Sequence, residues 1–154
     1  MSPSPRSSRG RSGQRSAGRG APRSGRNRPQ PAPLTPIENP PEIDSFEEWD
    51  LGDDVQAAIA EMGIVKPTPI QALAIGEVLV GKDVIAKAET GTGKTLAFGA
   101  PLMARIDPGR SSVLGLVLSP TRELSEQVYN VLKPLGEARG VKVALVVGGE
   151  PLHP

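Results

Sequence analysis

An α/β fold built on a parallel sheet is predicted by three observations. Apolar, partly β-branched segments recur at 82–89 (KDVIAKAE), 112–120 (SVLGLVLSP) and 141–149 (VKVALVVGG). Helical patterns at 94–106 and 122–140 separate them, giving the strand–helix alternation of right-handed crossovers. The segments are apolar almost throughout, as expected of strands covered on both faces.

Before this region the chain has a different character. Of 18 basic residues, eight are arginines lying before residue 38 (Arg6, Arg9, Arg11, Arg15, Arg19, Arg23, Arg26 and Arg28), and none of the 17 acidic residues lies there. Ten bases then face 17 acids, so a +8 arm precedes a −7 remainder and the net +1 conceals both. Residues 1–28 are mostly Arg, Ser, Gly and Pro, and they bury too little apolar surface to offset the entropy of ordering them. Residues 29–41 (PQPAPLTPIENPP) are dense in proline and predict a stiff, extended spacer. The expected organisation is a disordered basic tail and linker over 1–41 and a compact region over 42–154.

The compact region opens with two helices. In DDVQAAIAEMG (53–63), Val55, Ile59 and Met62 share one face, Asp53 or Asp54 can cap the start, and Gly63 can end it. TPIQALAIGEVLVG (68–81) reads as a second helix with Pro69 in its first turn and Gly81 past its end. KTLAFGAPLMARI (94–106) is a helix perturbed by Gly99 and Pro101, and 122–140 is one that Pro134 bends or breaks.

Composition excludes several classes. There is no cysteine, hence no disulfide partner and no thiolate metal site, and the single His153 cannot anchor a metal cluster. No apolar run nears the roughly 18 residues that span a membrane. The arginine-rich start lacks the apolar stretch of a secretory signal and the amphipathic pattern of a transit peptide, so a cytoplasmic protein is expected.

AETGTGKT (88–95) carries the chemistry. It leaves a predicted strand and enters a predicted helix, where backbone N–H groups converge at the positive end of the helix dipole. Gly91 and Gly93 permit conformations that a side chain obstructs. Lys94 can reach the β- and γ-phosphates, and the Thr95 hydroxyl can ligate Mg²⁺. Ala88 stands where the strict phosphate-loop pattern has glycine, and the plain alternative is a glycine-rich turn with a surface lysine. Upstream, the Gln71 amide has the donors and acceptor to pair with an adenine edge, and Phe46 offers a face for a base. Equally, Gln71 can be an ordinary helix residue and Phe46 a core anchor.

Taken in order, these segments resemble the DEAD-box RNA helicases. Phe46 with GIVKPTPIQ (63–71) is similar to that family's adenine-reading Q motif; AETGTGKT matches its first ATPase motif, Ala88 included. PTREL (120–124) and the glycine pair 148–149 match motifs that contact RNA; Ile64 departs, at a packing position where many members have an aromatic. The resemblance covers about residues 45–154 and implies a RecA-like P-loop NTPase fold, the first helicase domain in incomplete form, with ATP and Mg²⁺ as cofactors. It implies that Phe46 and Gln71 read adenine, and that Thr90, Gly91, Thr92, Gly93, Lys94 and Thr95 hold the phosphates, Lys94 and Thr95 being the catalytic pair and Thr95 the Mg²⁺ contact. It places Pro120, Thr121, Arg122, Gly148 and Gly149 along an RNA backbone, in contacts independent of base sequence. PTREL also reads simply as a helix start capped by Thr121, with Glu123 favourable in the first turn; the two roles are compatible.

Hydrolysis needs more than a cradle: a carboxylate on Mg²⁺ and a group that positions water. In the family both come from an Asp-Glu-Ala-Asp segment. After Glu89 the acids are Asp107, Glu123, Glu126, Glu137 and Glu150, and none forms an Asp-Glu pair at a strand end. The expectation is the front portion of a helicase that ends within its first domain, binding adenine nucleotide and RNA weakly without turnover. A non-catalytic RNA-binding fragment acting through the arginine-rich tail is the alternative. A small P-loop kinase leaves PTPIQ and PTREL unexplained.

Overall fold

A computed structural model describes residue 36 and residues 39–149; most of the predicted tail and spacer, and residues 150–154, lie outside the described residues. A short 3-10 turn, Phe46–Glu48, leads into four helices: α1 (Asp53–Glu61), α2 (Pro69–Leu79), α3 (Lys94–Arg105) and α4 (Arg122–Arg139). α3 is central, packing against α2 and α4, and α4 packs in turn on α1.

Each helix forms where the apolar spacing places it. In α1, Val55, Ala58 and Ile59 are buried and Met62 packs against the core just past its end. The start is capped differently from the expectation: Gly52 is the flanking residue, while the Asp54 carboxylate accepts from Val55 N–H at 2.9 Å. Beyond the end, Ile64 N–H donates to Ile59 O at 3.3 Å across Gly63, closing the helix as predicted. α3 runs unbroken through Gly99 and Pro101, and α4 through Pro134. Packing overrides the local cost of proline, because Pro101 and its neighbours Ala100 and Met103 are buried, as are Leu132, Leu135 and Gly136 around Pro134.

The core is formed by one face of each helix together with the chain before α1. Phe46, Trp49 and Leu51 are buried alongside Val55, Ile59, Ile75, Leu96, Met103, Leu132 and Leu135. The Phe46 and Trp49 rings meet at 5.9 Å between centroids, tilted by 60°. Gln56 Nε2 donates to Trp49 O at 3.0 Å, holding this segment to α1. Gly136 permits the chain leaving α4 to come close: a Cβ there would stand 2.8 Å from Val141 O and 2.5 Å from Val143 Cγ2.

The predicted parallel sheet is not confirmed among the described residues. None of the segments 82–89, 112–120 and 141–149 carries a strand ladder, and no backbone hydrogen bond joins them to one another. A strand satisfies its backbone only across a neighbour about 4.8 Å away. Here the first two segments instead line a common groove of about 510 Å³, through Val84 and Ala86 on one and Val117 and Leu118 on the other. The pleat is still visible in 141–147: Val141, Val143, Leu145 and Val147 are half-buried, while Lys142, Ala144 and Val146 face solvent.

Candidate phosphate-binding site

The loop 88–95 enters α3 at Lys94, with Gly93 as the flanking residue in the left-handed region at φ +84°. Leu96 and Ala97 are buried one turn on, which fixes this end of α3 against α2. Gly91 also has positive φ, +85°, and a Cβ there would meet nothing within 4 Å, so the loop is open on that side.

The loop's carbonyls are held by side-chain donors. Lys94 Nζ donates to Ala88 O at 2.7 Å and to Glu89 O, and Thr92 Oγ1 donates to Glu89 O at 2.8 Å. Two more donors come from α2 and its first flanking residue: Thr68 Oγ1 reaches Thr92 O at 2.8 Å, and Gln71 Nε2 reaches Gly93 O at 3.1 Å. With those carbonyls turned to internal partners, the loop's N–H groups are the groups left to meet an anion, at the positive end of a 12-residue helix.

The sequence-predicted residues are distributed unevenly. Thr90 and Gly91 are exposed, and Thr92, Gly93, Lys94 and Thr95 are half-buried at one loop, beside Gln71. Gln71 is 2 % exposed and already engaged at both ends of its amide, since its Oε1 accepts from Thr68 N–H at 2.9 Å. One amide hydrogen and one lone pair remain for a base. Phe46 is 5 % exposed and packed on Trp49, so in this conformation it is the core anchor that the sequence allowed, not an open stacking face. Thr68 was absent from the predicted set, although it starts the same helix three residues before Gln71. Trp49 was missed as a core residue because it stands outside any periodic segment.

The second predicted group also converges. Thr121 caps α4, its Oγ1 accepting from Leu124 N–H at 3.2 Å, as its place before the helix predicts. Arg122 is exposed, and its guanidinium lies so near the glycine pair that a Cβ on Gly149 would stand 2.8 Å from Nη2. Gly148 has open space around it. Pro120 lines the groove of about 510 Å³ that Lys94 and Thr95 also line, so the two groups border one concavity.

The residues fit an anion better than they fit a metal ion held by protein alone. The donor set is one ammonium, several N–H groups and threonine hydroxyls, the chemistry of a phosphate site. Among the described residues no group of three or more His, Asp or Glu side chains could hold a metal ion. No helix among them is long and apolar enough to cross a membrane.

Comparison with known proteins agrees with this geometry. Residues 68–154 match the DEAD/DEAH box helicase family. The DEAD-box ATP-dependent RNA helicase CshA of Bacillus cereus is 42% identical over 109 residues, 71% of this chain and 21% of the relative. The ATP-dependent rRNA helicase rrp3 of Emericella nidulans is 44% identical over 112 residues, 73% of this chain and 24% of the relative. The chain thus spans about a fifth to a quarter of the length of these relatives. Among solved structures, a DEAD box protein from the hyperthermophile Methanococcus jannaschii superposes with a TM-score of 0.58 at 32% identity, covering 70% of this chain and 30% of that one. Saccharomyces cerevisiae dbp5, bound to gle1 and ip6, gives 0.62 at 27% identity, covering 71% and 30%. A glycine-rich loop gripped from the preceding helix, an exposed arginine against a glycine pair, and these matches agree: the chain belongs to the DEAD-box helicase family.

Proposed function

We propose that this chain is the nucleotide-gripping part of an ATP-dependent RNA helicase. The observation that carries this is the tether of the 88–95 loop to Thr68 and Gln71, which joins the adenine-side motif to the phosphate-side motif. In this reading Thr90 to Thr95 hold the phosphates of ATP, Lys94 leaves the Ala88 and Glu89 carbonyls to meet them, and the Thr95 hydroxyl contacts Mg²⁺. The metal would add Lewis-acid stabilisation of the phosphoryl oxygens. Gln71 reads adenine with its free amide hydrogen and lone pair. Phe46 joins it only if the 46–51 segment turns out of the core. Pro120, Thr121, Arg122, Gly148 and Gly149 run along an RNA backbone, without base specificity. In the RecA-like arrangement the segments 82–89, 112–120 and 141–149 become strands of one parallel sheet.

By itself the chain binds adenine nucleotide weakly and turns over negligibly, because among the described residues no acidic pair stands beside Thr95 to complete the Mg²⁺ site. Calorimetry with ATP and GTP tests the first part. Tighter binding of ATP supports the reading, and equal affinity removes the adenine role from Gln71. Robust RNA-stimulated hydrolysis by the isolated chain would overturn the second part.

A second reading rests on the charge asymmetry: the eight arginines before residue 38 make the chain an electrostatic RNA binder. Deleting residues 1–37 should then abolish salt-sensitive RNA binding, and unchanged titrations would remove this role.

A further inference from the structure

The Phe46 ring is buried beside Trp49, and the turn that carries it is fastened unevenly. Ser45 Oγ accepts from Glu47 N–H at 3.2 Å, a contact within the turn itself. Lys66 pairs with Asp44 just ahead of it, but both side chains are exposed and such pairs add little. Gln56, half-buried on α1, is different. Its Nε2 donates to Phe46 O at 3.4 Å and to Trp49 O at 3.0 Å, so one amide reaches both ends of the turn. It stands next to the buried Val55, at the edge of the apolar face of α1, where a long side chain can cross to the preceding segment.

The two ends are not held alike. Trp49 takes the shorter bond, and its indole also lies against α2, with Nε1 3.5 Å from where a Cβ on Gly76 would stand. Phe46 O takes the longer bond, so the turn opens most readily at the Phe46 end. Turning the ring outward breaks that bond and exchanges the amide and the carbonyl for water, which costs the modest net worth of a protein hydrogen bond. A ligand that needs the open form has its affinity reduced by the fraction of chains already open.

We propose that Gln56 is a positioning residue for the adenine end of the site: by holding the Phe46 turn on α1, it keeps the stacking face closed and sets how tightly the base is held. It touches no ligand. This rests on the reading that Phe46 and Gln71 meet adenine, and it adds the residue that controls whether Phe46 is presented. The amide is the working part, and methionine keeps its length while losing the donor.

Calorimetry on the 154-residue chain with ATP and with tripolyphosphate tests it. Gln56→Met is expected to tighten ATP by about threefold to tenfold, the scale of one hydrogen bond, with tripolyphosphate unchanged. Adding Phe46→Leu, which keeps an apolar side chain in the core and removes the ring, should abolish the gain. A merely structural role for Gln56 would weaken both ligands or move neither. Equal or weaker ATP binding by Gln56→Met therefore overturns the proposal, as does an equal gain for both ligands or a gain that survives Phe46→Leu. Equal affinity of the wild-type chain for ATP and GTP would overturn the adenine reading and the proposal with it, whereas a preference for ATP without the gain removes Gln56 alone. Should Gln56→Met not fold, the emission of Trp49, the single tryptophan, decides in the wild-type chain. It is expected to change on adding ATP, as the neighbouring ring leaves, and not on adding tripolyphosphate; emission unmoved by saturating ATP would overturn the proposal.

Discussion

Leu135 and Leu118 have the same side chain and opposite fates: the first is 0% exposed in α4, the second 84% exposed in the segment that sequence assigns to a strand. The contrast extends to their surroundings. The helical layer buries Leu96, Met103, Leu132 and Leu135, whereas Val113, Leu116 and Leu118 all face outward. A helix satisfies its own backbone and can pack as soon as one apolar face finds another. A strand needs an edge on each side before its N–H and C=O groups are satisfied. The apolar pattern therefore states which residues must be covered, and only for helices does it also say how.

The largest expected effect tests the helical side of this contrast. Leu135→Ala removes a fully buried side chain that lies near Gly99, where α3 and α4 approach closely. It should cost about 2–5 kcal/mol of unfolding free energy, read by urea denaturation. A loss under about 1 kcal/mol would mean that the helical layer is not the packed core described above.

Legibility in the sequence follows the same line. Val55 and Ile59 were readable as core from spacing alone, and so was the α3 start at Lys94, because helix periodicity and glycine punctuation are local signals. Thr121 as a cap was readable for the same reason. Gln71 and Phe46 were readable as important but ambiguous in role. Their side chains act across the fold, on Gly93 22 residues away and on the core, and spacing does not encode such contacts. Thr68 was hidden because its hydroxyl looks like an ordinary helix cap, yet it donates to a carbonyl 24 residues along the chain. The sheet was predicted from apolar runs, which specify burial and leave the pairing partner unspecified.

A smaller effect sharpens the boundary of the packed layer. Arg139 at the end of α4 donates from Nη1 to both Asp54 oxygens, at 3.1 and 3.0 Å, and from Nη2 to Ala104 O at 3.1 Å. Burial works against the Asp54 charge, but the Arg139 hydrogen bond, the Val55 N–H and the Arg139 charge together hold its carboxyl below the usual 3.8. A lowered folded pKa means that the stabilisation is complete above the unfolded value and disappears as pH falls through the folded one. Asp54→Asn should thus be less stable than wild type near neutral pH, by under about 1 kcal/mol since both side chains are partly solvated. The gap should close in acid below the usual carboxylate pKa. Denaturation midpoints measured across that range check it, and a gap that persists in acid would show that the aspartate acts by shape rather than charge.

The smallest effect on stability is also the test of the other side of the contrast. Leu118→Ser changes a residue that is already in solvent, so the unfolding free energy should move by no more than about 0.5 kcal/mol. Self-association should respond instead, because Val113, Leu116 and Leu118 present apolar surface on a segment with unpaired backbone, the arrangement that recruits another strand. Light scattering across a concentration series would compare the two chains. A more monomeric Leu118→Ser of unchanged stability places the residue outside the packed layer and on an associating edge. A destabilisation comparable to that of Leu135→Ala would mean that Leu118 is covered in solution, and the distinction between the two leucines would not hold.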